Sequence, residues 1–316
     1  MSRIHEALKR AELERASGQN GQRNNGHGDR AGQGSAVETA PMPAAVSPRF
    51  ELPPPSGAHI PAEADTGALQ FEAMWSKCTR KAWDPDPKVI VFRNEDPHYP
   101  GAEQFRTLRS RLNRMRETQP LQTILISSAV PAEGKTTVSC NLAYALAQQQ
   151  GSRVLLVDAD LRSPRVHFVL GTPAAPGLAE YLQNTATEME VMNCSSADGL
   201  CFIPAGNHVS HPSELISSER MRNFLESVKP VFDWIIIDSP PALPVADASV
   251  LGGLVDGVLF VVRANSTPAE ASQRACKELR DAHILGVILN TAEEAAGYGS
   301  YYSGGYGPAP YGSQKK

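Results

Sequence analysis

A dominant charge sign is missing from this sequence: across 316 residues, 30 basic side chains stand against 34 acidic ones. Nothing in that balance calls for nucleic acid or a strongly acidic partner. Cysteine is also sparse. Cys78, Cys140, Cys194, Cys201 and Cys276 are scattered without CxxC spacing and their number is odd, so a reduced, cytoplasmic setting fits better than a disulfide framework or a zinc site. His167, His208, His211 and His283 share no metal-ligand spacing. Long apolar runs are lacking too. The longest stretch, residues 250–262, is interrupted by Gly252, Gly253, Asp256 and Gly257, too short and too broken to span a bilayer. No apolar run resembling a signal peptide stands at the N-terminus. The expectation is a soluble chain whose membrane association comes through a partner.

What is present is organised around residues 121–143, LQTILISSAVPAEGKTTVSCNLA. An apolar run (Ile124, Leu125, Ile126) feeds a short loop that opens directly into a helix-patterned stretch. Strand, tight turn and helix N-terminus are the context of a phosphate-binding loop. Backbone N–H groups of Ala132, Glu133, Gly134, Lys135, Thr136 and Thr137 would wrap the phosphates. Lys135 would neutralise the terminal ones and the Thr136 hydroxyl would hold Mg²⁺. Ala129 stands where such loops usually begin with Gly.

Further strands are expected to bring acids to this loop. In RVLLVDADLR, Val154 to Val157 form a continuous apolar run, as in a parallel strand buried on both faces. It delivers Asp158 and Asp160 at the strand's C-terminal end, where ligands bind in open α/β sheets. One can serve the Mg²⁺ shell and the other can accept a proton from an attacking hydroxyl. The run WIIIDSPP ends in Asp238, an acid of the kind that holds Mg²⁺ in phosphate-loop enzymes. Strands are also expected at 89–92, 200–204, 257–263 and 284–290, with helices near 101–115, 221–229 and 268–281. Asn290 ends the last strand near the expected base-binding edge, as an adenine reader or a structural turn residue. The alternation predicts an α/β fold, one doubly wound, mainly parallel sheet over residues 89–292. On the helix near 101–115, Glu103, Arg106 and Arg109 share a face, suited to a solvated surface or to reciprocal pairing with a neighbouring subunit.

The termini read differently. Residues 1–20 carry a short amphipathic helix, either a docking element or a partnerless one. Residues 21–88 are expected to be a disordered linker. Between 21 and 70 there are seven Gly, seven Pro and only seven large apolar residues, too few to offset the entropy of ordering. Phe71, Trp75 and Trp83 then mark a second contact element or the approach to the folded domain. At the other end, residues 293–316 form a flexible tail in which Tyr298, Tyr301, Tyr302, Tyr306 and Tyr311 sit among Gly, Ser and Pro. That is a sticky low-complexity tail, or a set of phenols offered to an active site. A phenol has a pKa of ~10, so a base such as Asp160 would help activate it. The combination points to autophosphorylation.

From about residue 89 onward the sequence resembles the bacterial tyrosine kinases of capsule and exopolysaccharide systems. The resemblance rests on AVPAEGKTT, LLVDADLR, WIIIDSPP, EQFRTLR, HPSELISSERM and the tyrosine cluster, in that order. It implies a phosphate-loop fold of the deviant Walker, partitioning-ATPase-like type, using ATP and Mg²⁺. Lys135 and Thr136 would serve phosphate and metal, Asp158 and Asp238 the metal, and Asp160 the proton. It further implies a ring homo-oligomer with Glu103, Arg106 and Arg109 between subunits, the tail of one entering the site of the next. A separate membrane chain-length regulator (a polysaccharide co-polymerase) would act as activator at the inner face of the cell membrane, and a cognate tyrosine phosphatase would reverse the reaction. Two alternatives stand beside this reading. A partitioning or septum-site ATPase would carry an extra lysine early in the loop, which Val130-Pro131-Ala132 lacks. A nucleotide-gated scaffold would need no candidate base.

Overall fold

The computed structural model describes residues 66–78, 80–93, 100–196 and 199–292. The chain divides into two units, Met1–Ile60 and Pro61–Lys316, and every described residue belongs to the second. The expected N-terminal helix and tyrosine tail lie outside the described residues.

Eight strands form one sheet: β1 (Arg80–Lys81), β2 (Thr123–Ser128), β3 (Val154–Asp158), β4 (Asn193–Ser195), β5 (Leu200–Ile203), β6 (Trp234–Asp238), β7 (Gly257–Arg263) and β8 (Ile284–Asn290). Their spatial order is β1-β4-β5-β3-β6-β2-β7-β8. All neighbours run parallel except the antiparallel pair β4 and β5. Every residue of β2, β3 and β6 is buried, because helices cover both faces. This is why these strands read as unbroken apolar runs rather than alternating ones.

One face of the sheet carries Ile124, Ile126, Leu156, Phe202 and Ile236 against α3 (Lys135–Ala147), with α2 (Pro100–Arg116) packed outside it. The other carries Leu125, Leu155, Ile235, Ile237 and Phe260 beneath α8 (Glu219–Val228), α9 (Asp247–Gly252) and α10 (Ala269–Glu278). Helix α8 follows from its sequence. The hydroxyl of Ser218 caps its start by accepting from the Met221 N–H at 3.3 Å, an arrangement worth about 1 kcal/mol. Met221, Phe224, Leu225 and Val228 recur at helical spacing and are buried, each contributing about 1.5–3 kcal/mol. Between these elements lie α1 (Thr66–Lys77), α4 (Val166–Leu170), α5 (Leu178–Leu182), α6 (Glu188–Val191) and α7 (Pro212–Ile216).

Three expectations are corrected. Part of the expected linker is structured, as the contact element that Phe71, Trp75 and Trp83 marked: Thr66–Lys77 is helical, Met74, Trp75 and Cys78 pack on the core, and Trp83 meets the ring of Phe202 edge-on at 6.3 Å. A few aromatics thus anchor a stretch that follows a Gly- and Pro-rich segment. Residues 89–92 are no strand; they pass through a turn into a 3₁₀ turn at Val91–Arg93. Asn141 of α3 donates to the Val89 carbonyl and accepts from the Val91 N–H, both at 2.8 Å. A buried amide therefore satisfies the backbone that a neighbouring strand would otherwise have satisfied. Finally, Cys194 and Cys201 are joined in a disulfide. They stand directly opposite each other on β4 and β5, which their spacing in sequence does not announce, while Cys78, Cys140 and Cys276 are free. Among the described residues no helix is long and apolar enough to cross a membrane.

Candidate active site

β2 ends at Ser128 and α3 begins at Lys135, leaving residues 129–134 to turn the chain at the C-terminal edge of the sheet. The turn needs two left-handed residues, Ala132 at φ 63° and Gly134 at φ 92°. At Gly134 the left-handed backbone favours glycine, and a Cβ there would fall 1.9 Å from Nδ2 of Asn290, which would have to move. Glu133, expected among the nucleotide-binding residues, turns its side chain inward. It is 2% exposed, accepts from the Val130 N–H at 2.7 Å and takes the Thr267 hydroxyl on its other oxygen. Asn290 donates to the Glu133 carbonyl at 2.8 Å, and Arg263 donates to that of Ala132 at 3.4 Å. Thr137 is half-buried and its carbonyl accepts from Asn141 at 2.8 Å. The loop is thus braced from β7 and β8. Among the described residues none accepts from the N–H of Gly134, Lys135 or Thr136, the unpaired donors that open a helix and suit an anion.

Because β6 lies between β2 and β3, the carboxylates converge on this loop. Asp158 and Asp238 are register partners on adjacent strands, and both are 1% exposed or less. Asp238 accepts from the Thr136 hydroxyl at 2.7 Å and the Ser139 hydroxyl at 2.8 Å. Asp158 accepts from the N–H groups of Asp160 and Val166, both at 3.2 Å. Burial pushes the Asp158 carboxyl well above its usual range, the Asp238 charge beside it pushes further, and the Val166 N–H opposes them only in part. Burial likewise pushes Asp238 up to about 6, although the Thr136 and Ser139 hydroxyls and the Lys135 ammonium pull it down. Two buried acids beside one lysine are under-compensated, and a divalent cation would relieve both.

Among the described residues no three His, Cys, Asp or Glu side chains form a cage for a metal. A Mg²⁺ site does not require one, since the ion keeps waters and is held by one or two carboxylates plus substrate phosphates. Thr136, Asp158 and Asp238 fit that donor set, next to a loop whose open N–H groups fit phosphate. Asp160 stands just outside the pair at 9% exposure. Its Oδ1 accepts from the N–H of Arg162 at 3.3 Å and of Ser163 at 2.9 Å. Among the described residues nothing bonds to its Oδ2. Cavities of about 510 and 620 Å³ lie elsewhere and are lined by no residue of the loop or the acid pair.

Lys135, Thr136, Asp158, Asp160 and Asp238 are therefore brought together, as the sequence suggested. Asn290 is at the loop too, but its amide serves the loop backbone. The triplet on α2 divides: Arg106 pairs with Glu103 along the helix and sits over the Phe92 ring, whereas Arg109 donates to the Ala145 carbonyl of α3 at 2.6 Å. Sequence reasoning missed Ser139, one helical turn after Lys135 and aimed at the same acid. That one-turn spacing was the available signal. Asp247 and Ser213, which meet Arg162, carried no such signal.

A family model described as an AAA domain matches residues 121–270. The tyrosine-protein kinase YwqD of Bacillus subtilis (strain 168) is 34% identical over 202 residues, covering 63% of this chain and 85% of YwqD. The succinoglycan biosynthesis transport protein ExoP of Rhizobium meliloti (strain 1021) is 34% identical over 211 residues, 65% of this chain and 26% of ExoP. The chain likewise spans less than a third of the length of other curated relatives. Among solved structures, the kinase domain of the Escherichia coli tyrosine kinase ETK aligns with a TM-score of 0.63 at 31% identity, covering 70% of this chain and 86% of that one. A third of the residues agree along most of YwqD, and the same fold is found in a kinase domain of like identity; the chain belongs to the bacterial protein-tyrosine kinases.

Proposed function

We propose that this protein is an ATP-dependent autokinase that phosphorylates its own C-terminal tyrosine cluster, in trans within a ring, and thereby regulates exopolysaccharide or capsule polymerisation and export. The observation that carries the reading is the buried Asp158–Asp238 pair facing Lys135 and the open N–H groups of the loop, with Oδ2 of Asp160 beside it bonded to none of the described residues. Lys135 and the loop N–H groups hold and orient the phosphates of ATP. Thr136, Asp158 and Asp238 hold Mg²⁺, which when bound supplies positive charge to the transferring phosphoryl group. Asp160 takes the proton from a tyrosine hydroxyl at Oδ2, the phenolic oxygen bonds to the γ-phosphorus, and the bond to the β-phosphate oxygen breaks to release ADP. Asn290 is proposed to border the base as well as brace the loop.

The tail is rooted close by, since Asn290 contacts the loop and the chain continues past Ala292 toward Tyr298. At 3.3–3.6 Å per extended residue, Tyr298 can lie about 20 Å and Tyr311 about 65 Å from Ala292, enough to reach a neighbouring subunit. Glu103 is exposed at 62% and Arg106 partly so at 34%, and these are the groups proposed to pair between subunits. The name of ExoP supports the exopolysaccharide setting. With it we propose a membrane chain-length regulator as activator and a tyrosine phosphatase as opponent, with the kinase on the cytoplasmic face of the membrane.

The test is transfer of labelled γ-phosphate from Mg-ATP to the purified full-length chain. Wild type is compared with Lys135→Met, Asp160→Asn and a variant with all five tail tyrosines changed to Phe. Label on tyrosine that is lost in the site variants and largely lost in the tail variant is the expected result. Phosphate released only to water would establish a partitioning-type ATPase instead. No turnover even with the activator's cytoplasmic segment would establish a nucleotide-gated scaffold.

A further inference from the structure

Beyond the loop and its acids, one cluster of buried and charged side chains touches the site without a role in phosphate or metal binding. It joins three separate segments of the chain beside the site. Asp247, in the first turn of α9, is 1% exposed. Its Oδ2 accepts from Nε of Arg162 at 2.8 Å, and its Oδ1 from Nη2 of Arg162 at 3.3 Å and the Ser213 hydroxyl at 2.5 Å. Nη2 of Arg162 also donates to the Ser213 oxygen at 2.7 Å, which closes a triangle. Arg162 belongs to the segment after β3, Ser213 to α7 and Asp247 to the segment after β6. A forked guanidinium on a buried carboxylate is a strong and directional contact.

The backbone of Arg162 has a second task. Its N–H and that of Ser163 both donate to Oδ1 of Asp160. The rotation of the Asp160 carboxylate, and so the direction of its free Oδ2, follows from where the Arg162 backbone lies. That backbone is tethered by the Arg162 side chain to two elements that do not otherwise take part. We infer that Arg162, clamped by Asp247 and Ser213, is the positioning residue that aims Asp160 at the acceptor hydroxyl. This role rests on the proposed reading of Asp160 as proton acceptor. A displacement of about 1 Å in such a group can cost on the order of 10²-fold in rate, so the clamp bears on turnover and leaves nucleotide binding alone.

The experiment is a double-variant comparison of tyrosine transfer in the full-length protein, with nucleotide affinity followed by fluorescent ADP binding. Asp160→Asn is expected to lower kcat by about 10²–10⁴-fold. Arg162→Ala is expected to lower it by about 10–10²-fold, with KM for ATP and ADP affinity unchanged and Arg162→Lys in between. Arg162→Ala/Asp160→Asn is expected to be no slower than Asp160→Asn alone, because the arginine acts only through that acid. Loss of Arg162 alone strands the buried Asp247, so Arg162→Met/Asp247→Leu removes both charges together and should show the same drop in kcat while melting normally. A folded Arg162→Met/Asp247→Leu protein with wild-type kcat would overturn the clamp, as would losses that multiply in the double variant. If Asp160→Asn by itself retains transfer, the base assignment fails and the positioning role falls with it, whereas a slow Asp160→Asn beside a fast Arg162→Met/Asp247→Leu overturns the clamp alone.

Discussion

Changing Asp238 to Asn should make the metal-free protein more stable while removing its response to magnesium and nucleotide. In the folded chain Asp238 is 1% exposed and held to about 6, against an ordinary value of 3.8. That gap corresponds to about 3 kcal/mol of strain whenever the carboxylate is ionised. Asparagine keeps the shape and one acceptor oxygen. Ser139, whose hydroxyl also donates to the Lys135 carbonyl at 3.0 Å, can accept from the new amide, so the exchange costs about 1 kcal/mol. The net expectation is a gain of about 2 kcal/mol at pH 8, or roughly 4–8 °C in Tm for a fold of this size. The sign with pH follows from linkage: a folded-state pKa above the unfolded one gives stability that is present at low pH and lost as pH rises through about 6. Asp238→Asn should therefore be slightly less stable than wild type near pH 4, where the cost of about 1 kcal/mol for the exchange outweighs what is left of the ionisation penalty. Its full advantage should show above pH 7. Thermal melts in chelator across that range measure it, and a second set with Mg-ADP should raise wild type but not the variant. A folded variant that melts at or below wild type at pH 8 without metal would refute the reasoning. So would an advantage that is the same at pH 4 and pH 8.

Three further outcomes are expected. Gly134→Ala forces a left-handed alanine, costing about 1–2 kcal/mol, and displaces Asn290 from the loop; nucleotide affinity by calorimetry should fall more than about tenfold, and unchanged binding would count against the loop's role. Phe202→Ala empties a fully buried site between β5 and Trp83 and should lower the unfolding free energy in urea by about 3–5 kcal/mol, whereas a loss below 1 kcal/mol would show that the segment around residue 83 is not docked there. Arg106→Glu sets like charge against Glu103 and against any subunit partner; if the proposed ring forms through α2, light scattering should show a smaller species than for wild type, and an unchanged mass would remove α2 from the interface.

Much of the site was readable from neighbouring residues, because its parts are local. A buried parallel strand ending in an acid is a run of five or six residues, as in residues 154–158 and 234–238, and the loop announces itself through Gly134, Lys135 and Thr136. The segment from 66 to 92 was legible only in part, for the opposite reason. Its order comes from Trp83 meeting Phe202 and from Asn141 bonding to Val89 and Val91, contacts that span 50 residues or more. The aromatics Phe71, Trp75 and Trp83 flag a contact element there, but composition does not say which distant residues an aromatic or an amide will meet.

The sequence alone thus determined the alternation of elements, the phosphate loop and the acids at the strand ends, since burial on both faces and tight-turn chemistry act over a few adjacent residues. Only the tertiary structure decided which strand lies between which. By setting β6 between β2 and β3 it put Asp158 and Asp238 side by side and raised both pKa values. It also opposed Cys194 to Cys201, turned Glu133 inward and closed the Arg162–Asp247–Ser213 triangle. Those outcomes depend on desolvation and on hydrogen bonds between residues up to 134 positions apart, and neither has a local signature in the chain.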